Sequence, residues 1–382
     1  MPDRLAPSGG PGAEPPLRPR ADHVGSFLRP DRLLEAARDT RAGRLTAERF
    51  RTLQDECVRE VVAFQEELGF RTVTDGEFRR RGWSAGFIDA VDGFGLREAP
   101  LGFRDDHGER GALPSPFARS RLRRARGIAT DELAFLRGAV TTGVPKVTMP
   151  APDVMHFFLG PRSIDPDAYG DVEEYYADLV AIYRAEIRDL VALGCRALQL
   201  DDTALPCNCD ERVRAEVRAR GEDPDALTLR YVGLINESLA ACPPGVARSV
   251  HMCRGNLKGA WMAEGGYEPI AEAVFGGLAV DAFLLEFDSP RAGDFRALRF
   301  VPAPKRVILG LVSTKTPALE TADGLRRRID EAARHLPLDR LGLSPQCGFS
   351  SAAGGGQPIT PDDQRRKLEL VVSVARDVWG TV

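Results

Sequence analysis

His251 and Cys253 stand two residues apart in the stretch ARSVHMCRGN, residues 247–256. On an extended backbone, side chains two apart point to the same side, so an imidazole nitrogen and a thiol sulfur would leave the chain together. Nitrogen and sulfur donors in that arrangement suit zinc, which takes four ligands from His, Cys and carboxylates. Taken alone, the triplet reads as a packed thiol beside a hydrogen-bonded imidazole. Glu286 and Cys347 each follow or end another apolar run and could complete the set. Cys207 and Cys209 in LPCNCD form a rival pair, but they trail their apolar run by several residues and have only Asp210 as an evident partner.

Donors from distant parts of the chain meet only if a regular scaffold brings them together. Short apolar runs recur at 21–27, 71–74, 145–149, 196–200, 247–252, 280–286, 305–310 and 340–344, and each reads as a strand. Amphipathic stretches alternate with them, among them 31–40, 46–68, 171–193 and 361–378. In the second of these, Phe50, Leu53, Cys57, Val61, Phe64 and Leu68 recur at steps of three and four, with Thr46 placed to cap the start and Gly69 to end it. Thr360, Pro361, Asp362 and Asp363 open the last helix with a cap, a first-turn proline and two carboxylates at the positive dipole end. Alternating strands and helices imply a parallel sheet, and eight strands predict closure into a (β/α)8 TIM barrel, with an open doubly wound sheet as the rival. Residues 1–19 read as a disordered leader and 20–382 as one barrel domain. The excess over the ~250 residues of an ordinary barrel falls between strands two and three. There, residues 81–126 are rich in Gly, Pro and Arg and read as a lid over the barrel mouth.

In a barrel the C-terminal strand ends line the active site. Those ends carry Gly25 and Ser26, Asp75 and Glu77, Asp201 and Asp202, His251 and Cys253, Glu286 and Asp288, Ser313 to Lys315, and Cys347. His23 lies near the end of the first strand and is a candidate to face the site, whereas His107, His156 and His335 read as solvated or core histidines. Cys195 falls at the opposite end, where packing accounts for it. No phosphate-cradling glycine loop is present, so nucleotide chemistry has no support.

The formal charge of −4 gives no general attraction for nucleic acid, and no run approaches 18 apolar residues, which argues against a membrane span. Seven cysteines in a chain of 382 residues do not look like a secreted disulfide framework. A cytoplasmic protein acting on small molecules is expected, with homo-oligomerisation left open.

The ordered set HVGSF, TDGE, LQLDD, HMC, LLEF and SPQCG resembles the catalytic domain of cobalamin-independent methionine synthases and their single-domain relatives, over nearly the whole chain from Ala21. The resemblance implies a (β/α)8 barrel whose zinc is held by His251, Cys253, Glu286 and Cys347. It also implies an amino-acid site at the Gly25–Ser26 turn with Ser26, Glu77 and Asp201, to which we add His23. The implied reaction is methyl transfer from a donor such as methyl-folate to homocysteine, through a zinc-bound thiolate. Glu286, the hardest donor, is the ligand expected to yield to substrate sulfur. Three departures stand out. The chain has no room for the family's additional N-terminal barrel; Lys315, Thr316 and Pro317 replace a His-Ser-Pro; and 119–139 shows no folate-binding segment. Lys315 and Asp201 are the expected catalytic residues, Lys315 as a donor to an anionic substrate or leaving oxygen. The departures bring in the epoxyalkane:coenzyme M transferases, which share the zinc motif and open an epoxide. A further alternative resembles metal-free uroporphyrinogen decarboxylase, with Arg79 to Arg81 or the arginines of 119–126 binding an anionic substrate.

Overall fold

The computed structural model describes residues 17–350 and 354–382. The expected leader up to residue 16 and residues 351–353 lie outside the described residues. Among the described residues, seven strands pair in parallel and in chain order into one sheet. They are Thr72–Val73, Val144–Pro150, Ala197–Asp202, Ala247–Met252, Ala282–Glu286, Arg306–Val312 and Leu341–Pro345. Most of their side chains are buried on both faces, as a parallel sheet covered by helices requires.

The apolar periodicity forms helices where it predicts them. Ala47–Leu68 is capped by the Thr46 hydroxyl, which accepts from Arg49 N, and stops at Gly69 with φ 93°, a left-handed conformation that glycine adopts without strain. Val172–Ala192 is capped by Asp171, and Pro361–Trp379 opens with a reciprocal capping box between Thr360 and Asp363. Among the described residues no helix is long and apolar enough to cross a membrane.

The expected first strand, 21–27, needs correction. Only Ala21 makes a ladder bridge, to Leu343. The Asp22 carboxylate takes the His23 N–H, and Gly25 sits at φ 146°, so a regular ladder breaks. The segment still fills the eighth position. Asp22 N donates to Leu343 O at one sheet edge, while Phe27 N donates to Gly76 O and Thr74 Oγ1 to Gly25 O at the other. A buried Lys146–Asp22 ion pair of 2.8 Å fixes it from below.

Residues 81–126 are more regular than their composition suggests. After a short helix, Ala85–Ala90, the strand Val91–Glu98 pairs antiparallel with Pro114–Arg124, and Phe103–Asp105 pairs with Gly108–Gly111. Arg104 and Trp261 exchange backbone hydrogen bonds of 2.7 and 2.8 Å, which docks the inner hairpin on the loop after the Ala247–Met252 strand. Arg124 reaches the fully buried Glu186 at 2.6 Å and anchors the outer hairpin to the Val172–Ala192 helix.

Candidate metal centre

Strand pairing sets Asp201 beside His251 at the C-terminal end of the sheet, and Cys253 follows immediately. One ligand atom from each of His251, Cys253 and Cys347 lies within 4.8 Å of the others, and all three residues are buried. The two sulfurs are 3.7 Å apart, too far for a disulfide, and all seven cysteines are free. Both ring nitrogens of His251 are buried without a protein hydrogen-bond partner. Leaving an imidazole unsatisfied in the interior costs free energy, and a cation among these donors would relieve that cost. Without one, its hydrogen bond with Cys347 and its burial push the Cys253 thiol well above its ordinary range. The donor set therefore fits zinc.

Glu286 is placed differently. Its Oε2 accepts from Arg254 N at 2.6 Å and its Oε1 from Lys315 Nζ at 2.9 Å, with the Arg254 and Arg291 guanidinium groups at 3.9 and 3.8 Å. Burial alone would raise this carboxyl, but Lys315 and Arg254 hold it down to about 2, so it is ionised. The structure thus brings three of the four expected ligands together and keeps the fourth on a lysine. For Lys315, burial opposes the charge, but Glu286 and Asp288 outweigh it and keep the ammonium protonated. Lys315 opens onto a neighbouring polar cleft shared with Asp288 and Arg291.

A cavity of about 150 Å³ lies over the cluster, and Ser26, Glu77, Asp201, His251, Cys253 and Cys347 all line it. Gly25 sits behind Glu77: a Cβ there would come within 2.8 Å of the Thr148 side chain and 3.2 Å of Glu77 Oε1. Glu77 itself holds φ 60°, uncommon for a residue other than glycine. That conformation costs on the order of 1 kcal/mol or more and aims the carboxylate at the cavity. Thr148 Oγ1 donates to Glu77 Oε1 at 2.9 Å and in turn accepts from Arg80, which also grips Glu132. Burial pushes Asp201 up to about 7 against the opposing pull of His251, and Gln199 donates to it at 2.7 Å.

The remaining expected residues lie elsewhere. His23 does not reach the cavity. Its ring packs edge-on against Phe27 and Phe70, its Nε2 bonds the Thr72 carbonyl, and burial lowers its pKa to about 3, so it is a neutral core residue. Cys207 and Cys209 are buried and outside the three-donor cluster, and the Cys195 thiol bonds the Ala197 carbonyl. Arg79, Arg80, Arg81, Arg121, Arg123 and Arg124 are each paired with a carboxylate and none lines the cavity. Sequence reasoning missed the apolar wall of the cavity, which includes Trp83, Leu101, Phe103, Leu113 and Met262. Its only signal was apolar residues inside a segment dominated by Gly, Pro and Arg.

A parallel α/β barrel-like fold with nitrogen and sulfur donors gathered at the C-terminal strand ends defines a class of metal-site enzyme scaffolds. Within that class, the chain belongs to the family described as cobalamin-independent synthase, catalytic domain, whose profile matches residues 20–376. The family places it among the methyl and alkyl transferases. The YxjH protein of Bacillus subtilis is 38% identical over 94% of this chain and 94% of its own length. A 5-methyltetrahydropteroyltriglutamate–homocysteine methyltransferase of Klebsiella pneumoniae is 24% identical over 93% of this chain, but over only 42% of its own length. A structure from Listeria monocytogenes, described as a vitamin-B12-independent methionine synthase, matches with TM-score 0.75 and 30% identity, covering 96% of this chain and 98% of that one. A B12-independent methionine synthase from Shewanella in complex with selenomethionine shares the fold, with TM-score 0.70 at 20% identity over 94% of this chain and 97% of that one.

Proposed function

We propose that the protein transfers an alkyl group, methyl in the leading reading, to the sulfur of a thiol such as homocysteine at a zinc centre of His251, Cys253 and Cys347. The observation that carries this reading is the cluster of three buried donors, with an unsatisfied imidazole, opening into the same cavity as Glu77 and Asp201. A zinc ion there supplies a Lewis acid that keeps an incoming thiol deprotonated and nucleophilic at neutral pH. Glu77 and Asp201 offer carboxylates to a substrate ammonium, and Ser26 offers a hydroxyl beside them. Gly348 passes so close to Ser26 that a Cβ would lie 2.0 Å from its Oγ, so this wall admits no larger residue. Glu286, ionised and held by Lys315, would serve as an exchangeable fourth ligand to the zinc, with Lys315 holding its carboxylate when it is off the metal. The names of the Klebsiella and Shewanella relatives support homocysteine as acceptor and methyl-folate as donor.

A second reading, addition of a thiol to an epoxide or similar carbon electrophile, is favoured by one observation. Lys315, a protonated ammonium on Glu286 that opens onto the polar cleft next to the cavity, stands where the resembling synthases carry a histidine, and from that cleft it would suit a developing alkoxide. Zinc-loaded protein incubated with homocysteine or coenzyme M, against methyl-folate or an epoxide, separates the two by the mass of the thioether formed. Methionine from methyl-folate supports the first reading; product from the epoxide alone replaces it with the second.

A further inference from the structure

We propose that the site accepts on sulfur uncharged, apolar carbon groups larger than the methyl of the leading reading, and that an anionic group in their place is disfavoured. This rests on the thiol-alkylation reading above and adds the class of the electrophile. The cavity that exposes Cys253 and Cys347 is walled on its far side by Ile88, Leu101, Phe103, Leu113, Phe158 and Met262. Four of these, Ile88, Leu101, Phe103 and Leu113, come from the segment between the first two sheet strands rather than from the barrel ends. Among the described residues, the charged groups lining the cavity are the Glu77 and Asp201 carboxylates, and no lysine or arginine faces it. Of the nearby cations, Lys315 is held by Glu286, and Arg80, held by Glu132, lies behind Glu77 with its guanidinium 3.7 Å from Glu77 Oε1.

Two consequences follow for what the cavity can hold. Each methylene placed against the apolar wall gains about 0.8 kcal/mol, which is about fourfold in affinity. An anionic substituent would lose its hydration in a cavity lined by Glu77 and Asp201, where the charge of a bound zinc would already be balanced by the Cys253 and Cys347 thiolates. In the reaction the thiol gives its proton to solvent, and its sulfur pair forms the new S–C bond. The bond from that carbon to its leaving group breaks, and the leaving group departs with the pair and takes up a proton.

The test is a calorimetric titration of the zinc-loaded protein with S-methyl-, S-ethyl-, S-propyl- and S-carboxymethylhomocysteine. The proposal expects about fourfold tightening per added methylene and S-carboxymethyl binding roughly tenfold or more weaker than S-ethyl. Leu113, 47% exposed, can change without loss of the fold, and Leu113→Lys should narrow the gap between the carboxymethyl and ethyl compounds. Binding that weakens from S-methyl to S-propyl, or S-carboxymethyl binding as well as S-ethyl, overturns the proposal. If that happens while homocysteine is still alkylated, the thiol reading stands and only the electrophile class falls. If no member of the series binds, the proposal falls together with homocysteine as the acceptor.

Discussion

An imidazole buried with no hydrogen-bond partner, beside two thiols 3.7 Å apart, is costly unless something positive sits among them. The expected outcome for Cys253→Ala is therefore loss of zinc to less than half an equivalent by elemental analysis. Cys207→Ala, which alters a thiol outside the cluster, should keep a full equivalent. Lys315 sets a second expectation. With its ammonium gone, Glu286 Oε1 loses its hydrogen-bonded partner, while Oε2 stays on Arg254 N, and Oε1 can turn to the three donors. Lys315→Met should slow zinc removal by a chelator several-fold, while a rate equal to or faster than the parent would contradict the exchange role. The pairing of His251 with Cys253 was legible in the sequence because period-two geometry is local. The engagement of Glu286 was not, because it depends on Lys315 from another strand end, and no pattern within either segment encodes that meeting.

At the scale of elements, the barrel strands were readable because burial on both faces demands continuous apolar runs, and seven of the eight expected runs are strands. The eighth, 21–27, has the composition of a strand, but Gly25 and the Asp22 carboxylate divert its backbone bonds. The hairpins of 81–126 escaped notice because Gly, Pro and Arg mask the alternation that marks a strand, and the segment's apolar residues are divided between the core, as Phe87, Phe94 and Leu122 are, and the cavity wall. Their attachment makes a testable point. Glu186 is fully buried, accepts from Ile128 N and Ala129 N, and pairs with Arg124. Glu186→Ala leaves those donors unpaired and should cost about 3 kcal/mol in urea unfolding. Amide exchange should rise first in Pro114–Arg124; an unchanged midpoint would show that the hairpin is anchored elsewhere.

For the whole molecule, closure depends on 21–27 being held between the two sheet edges, and Asp22 is the pin. Burial would raise its carboxyl, but Lys146 and His23 outweigh that and bring it below its ordinary value. A depressed carboxyl stabilises the fold above the unfolded value, near 3.9, and that contribution is lost as pH falls through the lower folded value. The parent should lose more thermal stability than Asp22→Asn between pH 5 and the acid limit of about 2; equal losses would remove Asp22 from the account. The central claim is that the gathered donors bind a cation that takes up substrate as thiolate. Its most direct test is the proton count when homocysteine binds zinc-loaded protein at pH 7, measured by calorimetry in buffers of different ionisation enthalpy. Because a free thiol is mostly protonated at that pH, the account predicts release of about one proton per thiol bound. Thioether formation accompanied by binding that releases no proton would contradict it.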